Sequence, residues 1–72
     1  MPKLYSSMHI IKILEKHGFI FVSQKGSHTK YRKMGKSTLT AIIPAGKKEI
    51  PHGTFRSILR QSKLTEGDFK KR

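Results

Sequence analysis

Cysteine and tryptophan are both missing from this 72-residue chain, and only four acids are present. Without cysteine there is no disulfide scaffold, no Cys-ligated zinc and no iron–sulfur cluster. The sequence is therefore silent on redox compartment. Glu15, Glu49, Glu66 and Asp68 are too scattered for a two-carboxylate hydrolase or a two-metal nuclease, which need clustered carboxylates. No phosphate-cradling P-loop or GxGxxG appears. Long apolar runs are lacking too. The longest, Phe19-Ile20-Phe21-Val22, is far shorter than the ~20 residues that cross a membrane. The start, Met1-Pro2-Lys3-Leu4-Tyr5, lacks the apolar segment of a signal peptide. The expectation is a soluble cytoplasmic protein, one domain spanning residues 1–72, with a small core.

What the chain does have is positive charge. Sixteen Lys and Arg against four acids leave +12. Between Glu15 and Glu49 there is no acid, yet that interval holds Lys16, Lys25, Lys30, Arg32, Lys33, Lys36, Lys47 and Lys48. Local salt bridges cannot neutralise these cations, so they sustain a field that attracts a polyanion. Nucleic acid is the expected partner. If half of the eight met phosphates of a single strand, log K would fall with log salt at a slope of about −3. The plainer reading, a solubilising surface, does not require charges of one sign. The basic end, Lys70-Lys71-Arg72, is weaker evidence, because short basic tails often fray.

The pattern predicts a helix over about Ser7 to His17, capped by Ser6 or Ser7. Ile10, Ile13, Leu14 and Ile11 form its apolar face, and Gly18 stops it. Phe19 to Gln24 reads as a strand, Lys25-Gly26-Ser27 as a turn and His28 to Met34 as a second strand. Gly35-Lys36-Ser37 turns the chain again, and Thr38 to Ile43 is a third strand ended by Pro44. A loop from Ala45 to Gly53 leads to a second helix, about Thr54 to Lys63, with Thr54 as its cap and Phe55, Ile58 and Leu59 as its buried face. Thr65-Glu66-Gly67-Asp68 resembles a capping box that could start a terminal turn and tuck Phe69 against the core.

The order α-β-β-β-α, with short connections, implies an antiparallel meander in a two-layer α+β domain. Both helices then cover one sheet face and leave the other to solvent. Period-2 alternation sorts the side chains. Tyr31, Thr29 and Lys33 point inward with Leu39, Ala41 and Ile43. His28, Lys30, Arg32, Thr38 and Thr40 turn outward, and Ile42 joins them as an exception. The first strand is apolar on both faces and does not discriminate.

Histidine is the one reactive side-chain type left. Four His at these spacings form no recognisable metal site, and none is expected. His17 precedes a helix-ending Gly and His9 sits in a first helical turn, so both read as structural. His52 lies near the start of the second helix, where a phosphate could bind. His28 opens a strand at a tight turn, ringed by cations. Nearby positive charge disfavours the imidazolium, so the neutral, basic ring should dominate at neutral pH. Such a ring beside phosphate-binding lysines could take a proton from a ribose 2′-OH. The freed oxygen could then attack the adjacent phosphate, with lysine stabilising the developing charge. A lone His on a basic strand could equally be a phosphate hydrogen-bonder.

Gly18-Phe19, then Gly26-Ser27-His28 with Tyr31, then Pro44, then Gly53-Thr54 with Ser57-Ile58-Leu59-Arg60-Gln61, and late Leu64 and Phe69: this ordered set resembles the HicA, or YcfA-like, toxin family. The resemblance covers about Ser7 to Phe69. It implies a fold similar to the double-stranded RNA-binding domain. It also implies an endoribonuclease that cleaves mRNA without a ribosome, metal or other cofactor. The His of the Gly-Ser-His motif, here His28, would be catalytic. Lys25, Ser27, Lys30, Arg32, Lys36, Lys47 and Lys48 are the candidate RNA-binding residues. The implied partner is a HicB-type antitoxin whose acidic surface covers the active face. Gly46 stands where many members carry a second His, two residues after the strand-ending Pro, so another group must assist. His52, Lys47 and Lys48 are the candidates, the lysines mainly as electrostatic stabilisers. Two rivals share the size and charge: a non-catalytic RNA-binding module and a ribosome-associated structural protein.

Overall fold

The computed structural model describes residues 4–70. Residues 1–3 and the basic end at Lys71 and Arg72 lie outside them. The elements are α1 (Ser7–Lys16), β1 (Ile20–Lys25), β2 (His28–Lys33), β3 (Leu39–Pro44), α2 (His52–Ser62) and a short α3 (Glu66–Lys70). The expected α-β-β-β-α order and the terminal turn are both present. The strands form one antiparallel sheet, ordered β1-β2-β3, with the helices packed on one side.

Local chemistry sets the helix ends. Ser6, with extended backbone, caps α1 by accepting the His9 N–H at 3.1 Å. At the other end the Phe19 N–H reaches the Leu14 carbonyl and the Gly18 N–H reaches Glu15, each at 3.0 Å. That is a Schellman arrangement, and Gly18 supplies its left-handed residue at φ +94°. Thr65 and Asp68 form the anticipated capping box: an Asp68 carboxylate oxygen accepts the Thr65 N–H at 2.9 Å. The α2 start differs from expectation. It begins at His52, two residues before Thr54, and its N-cap is Pro51, with no side-chain cap bond. Pro51 presets the entry geometry through its ring (φ −55°), so a hydroxyl is not needed to begin the helix.

The core unites Ile10, Ile13 and Leu14 of α1 with Tyr31, Ala41 and Ile43 of the sheet, and Phe55 and Ile58 of α2. Phe69 is fully buried, with its ring edge-on to Phe55 at 5.1 Å. Ile50, in the loop, is also fully buried, and its N–H binds the Tyr5 carbonyl at 2.8 Å. Ser7 is a buried polar tie. Its hydroxyl donates to the Pro44 carbonyl at 2.5 Å and accepts the Lys47 N–H at 2.9 Å. α1 is thereby fastened to the chain just after β3. The two sheet edges are treated unequally. Gln61 of α2 reaches β3 and accepts the Ile42 N–H at 2.9 Å, whereas every β1 residue is exposed.

Candidate functional site

Strand register builds the site. Paired residues in an antiparallel ladder share a face. Three rows therefore cross the face that the helices leave open: Lys25–His28–Pro44, Ser23–Lys30–Ile42 and Ile20–Arg32–Thr40. The rows between them, Gln24–Thr29–Ile43 and Phe21–Tyr31–Ala41, belong to the helix side. Of the outward set anticipated from alternation, His28, Lys30, Arg32 and Thr40 stand on the open face, with Ile42 among them; Thr38 lies in the β2–β3 connection, because β3 begins only at Leu39, so strand alternation does not place it.

His28 stands at a well-fixed corner. It follows the two-residue connection Gly26-Ser27, in which Gly26 adopts φ +58°. A glycine at the first central position is what type II′ hairpins use. Both neighbours of His28 are tied down. The Ser27 carbonyl accepts the Ala45 N–H at 2.6 Å, and the buried Thr29 hydroxyl donates to the Ile43 carbonyl at 2.8 Å. The exposed imidazole thus projects from a backbone held on each side. It lines a hollow of about 240 Å³ with Ser23, Lys25, Thr29, Lys30 and Ile42. The charged groups in that lining are two lysines, with no carboxylate among them. The hollow can hold an anion beside a group able to accept a proton.

The other anticipated site residues lie at graded distance. Arg32 continues along the same face from Lys30, and Ser27 is exposed in the turn beside His28. Lys47 and Lys48 follow Pro44, the register partner of His28, and so sit at the same end of the sheet outside the hollow. Lys36 is in the β2–β3 turn, at the opposite end of β2, about 17 Å along the strand. His52 does not line the His28 hollow. It is the first residue of α2, its ring 6.5 Å from that of Phe55. Gly46 adopts φ +67°, and a Cβ there would meet nothing within 4 Å.

A larger hollow, of about 1250 Å³, opens between α1 and α3 and is bordered by His9. That ring is already engaged. It stacks on Tyr5 at 4.7 Å and its Nε2 lies 2.8 Å from the Phe69 carbonyl. His9 therefore fastens α3 to α1 rather than serving an open site. His17 is the C-cap residue of α1, a structural role like the one anticipated.

Fold and site together define a class: a small, strongly basic α+β protein whose helices cover one sheet face and leave the other cationic and histidine-bearing. The family comparison is more particular. Residues 7–64 match the model of the HicA toxin of bacterial toxin–antitoxin systems, and the chain belongs to that family. It is the toxin half of such a pair, and a cognate antitoxin is its partner. No curated protein matches the chain significantly. Among the described residues, no helix is long and apolar enough to cross a membrane.

Proposed function

We propose that this HicA-family toxin is an endoribonuclease that cleaves mRNA in the cytoplasm, independently of ribosomes and metal ions, and so arrests translation and growth. The observation that carries the reading is the grouping of His28 with Lys25 and Lys30 in one carboxylate-free hollow on the open sheet face. A single RNA strand lies across that face, with Lys25, Lys30 and Arg32 on its phosphates. His28 takes the 2′-OH proton of the nucleotide before the scissile bond. The 2′ oxygen attacks the phosphorus, the P–O5′ bond breaks, and the departing O5′ takes a proton from water. The products are a 2′,3′-cyclic phosphate and a 5′-hydroxyl. The lysines stabilise charge on the phosphate as it passes through its five-coordinate state. Lys47 and Lys48 add field from the same end of the sheet. With Gly46 offering no side chain to the leaving group, turnover is slow. No Phe, Tyr or Trp stands in the three open-face rows, so base stacking contributes little and sequence preference is loose. A HicB-type antitoxin with an acidic surface covers this face.

The test uses a defined mRNA fragment, EDTA, no ribosomes, and a second fragment with 2′-deoxyribose at the mapped cleavage position. The all-ribose fragment should be cut to cyclic-phosphate and 5′-hydroxyl ends, and the deoxy fragment bound but left whole. Binding of both with cutting of neither would replace the enzyme with a non-catalytic RNA-binding module. Cutting of both would exclude 2′-OH attack.

A further inference from the structure

Ile20, Phe21 and Val22 are 61%, 54% and 38% exposed, in succession along the outer strand of the sheet. Exposed apolar residues scattered singly are ordinary, but a continuous strip on a bare strand edge is a template for another strand. The opposite edge shows the contrast, since Gln61 occupies the Ile42 N–H there.

Two properties of the strip define its occupant. It serves both faces of the sheet. Ile20 pairs with Arg32 on the open face, while Phe21 pairs with Tyr31 on the helix side, its ring edge-on at 5.8 Å. A helix laid on one face would leave the other apolar side chain wet. A strand added along the edge flanks both, because its own side chains alternate. The strip is also backed by cations on the open face: Arg32 beside Ile20, Lys30 beside Ser23, and Lys25 itself. A second copy of this chain fits poorly, since it would bring another +12 and the same cations against their equals.

We infer that the β1 edge is where the antitoxin docks, by adding an extended strand of alternating apolar and acidic residues beside Ile20–Lys25. This rests on membership of a toxin–antitoxin family and not on the ribonuclease chemistry. The added strand lies about 4.8 Å from β1, and so about 10 Å from β2. Its residue opposite Lys25 shares a face with His28, because Lys25 and His28 are register partners. An acidic side chain there pairs with Lys25 and leans toward the His28 hollow. Docking at the edge thereby becomes obstruction of the site. The register irregularity between Phe21 and Ser23 interrupts this edge, so the added strand pairs on either side of it and not through one unbroken ladder.

The experiment is amide hydrogen exchange on the wild-type toxin, free and bound to its co-expressed antitoxin. The outward-pointing amides of Ile20–Lys25, those not engaged in the ladder with β2, should exchange freely in the toxin alone and become protected in the complex. Protection elsewhere with β1 unchanged would overturn the inference. A parallel titration uses Ile20→Glu/Val22→Glu, with Met8→Glu as control because Met8 is 67% exposed on α1. With urea midpoints checked for retained folding, the double variant should bind the antitoxin about 100-fold more weakly, the scale of losing an interface hot spot. The control should bind as the wild type does. Undiminished binding by the double variant would overturn the inference, as would a free toxin that sediments as a dimer with β1 already protected. None of these readouts involves RNA, so loss of the ribonuclease reading would leave the test intact.

Discussion

One residue step along β2 separates two kinds of surface. Thr29 and Tyr31 are buried against the helices, and the Thr29 hydroxyl is satisfied by a backbone carbonyl. His28 is exposed, and it, Lys30 and Arg32 occupy the alternate positions on the face that no helix covers. The helix side is apolar and closed, whereas the open side is cationic and left to solvent. The difference teaches that the core and the exposed cationic surface are separable in this molecule, residue by residue along one strand. Substitutions on the helix side should move the unfolding midpoint. Substitutions on the open side should move RNA chemistry and leave that midpoint alone.

The severest challenge to this division is Phe69→Ala. Its ring is fully buried against Phe55, and removing it should cost about 3–5 kcal/mol. A chain this small has little stability in reserve, so urea titration should find it largely unfolded. Ser7→Ala should cost about 1–3 kcal/mol, because the Lys47 N–H and the Pro44 carbonyl are then left without their buried partner. The same urea titration reads it. Lys25→Ala/Lys30→Ala should change stability by no more than about 0.5 kcal/mol. Its slope of log K against log salt for single-stranded RNA should be shallower by about 1.4, or 0.7 for each phosphate that is no longer neutralised. The smallest effect belongs to Tyr31, whose phenol is held above its usual range, first by burial and then by the charge of Glu15. A raised folded-state value means that stability is fully present below pH 10 and lost as pH climbs through it. Tyr31→Phe should therefore match the wild type in urea at pH 8 and exceed it at pH 11.

Much of this division was legible in the sequence. Alternation along His28 to Lys33 assigned the two faces because a helix layer can bury only one of them. Gly18 and the Thr65–Asp68 pair announced their caps through side-chain chemistry that acts within a few residues. What stayed hidden depends on interactions between distant parts of the chain. Ser7 read as a cap candidate, and nothing local revealed its tie to Pro44 and Lys47. Ile50 gave no periodic signal, being a single buried residue in a loop. The start of α2 escaped because Pro51 caps by backbone geometry rather than by a hydroxyl. That shift carried His52 into a helix, its ring near Phe55, and it does not line the His28 hollow. The apolar character of β1 was visible, but its exposure was not, since exposure depends on where the helices end. The grouping of Lys25, His28 and Lys30 was legible only in part. Alternation put His28 and Lys30 on one face, and the register added Lys25.

The central claim is that His28 acts on RNA and does nothing for the fold. Its most direct test measures mRNA cleavage and the urea midpoint on the same preparations of wild type and His28→Ala. The account expects the rate to fall by about 10²–10⁴, the range for removing a general base, with the midpoint unmoved. Cleavage at the wild-type rate would contradict it, as would a loss of rate that only follows a loss of folded protein.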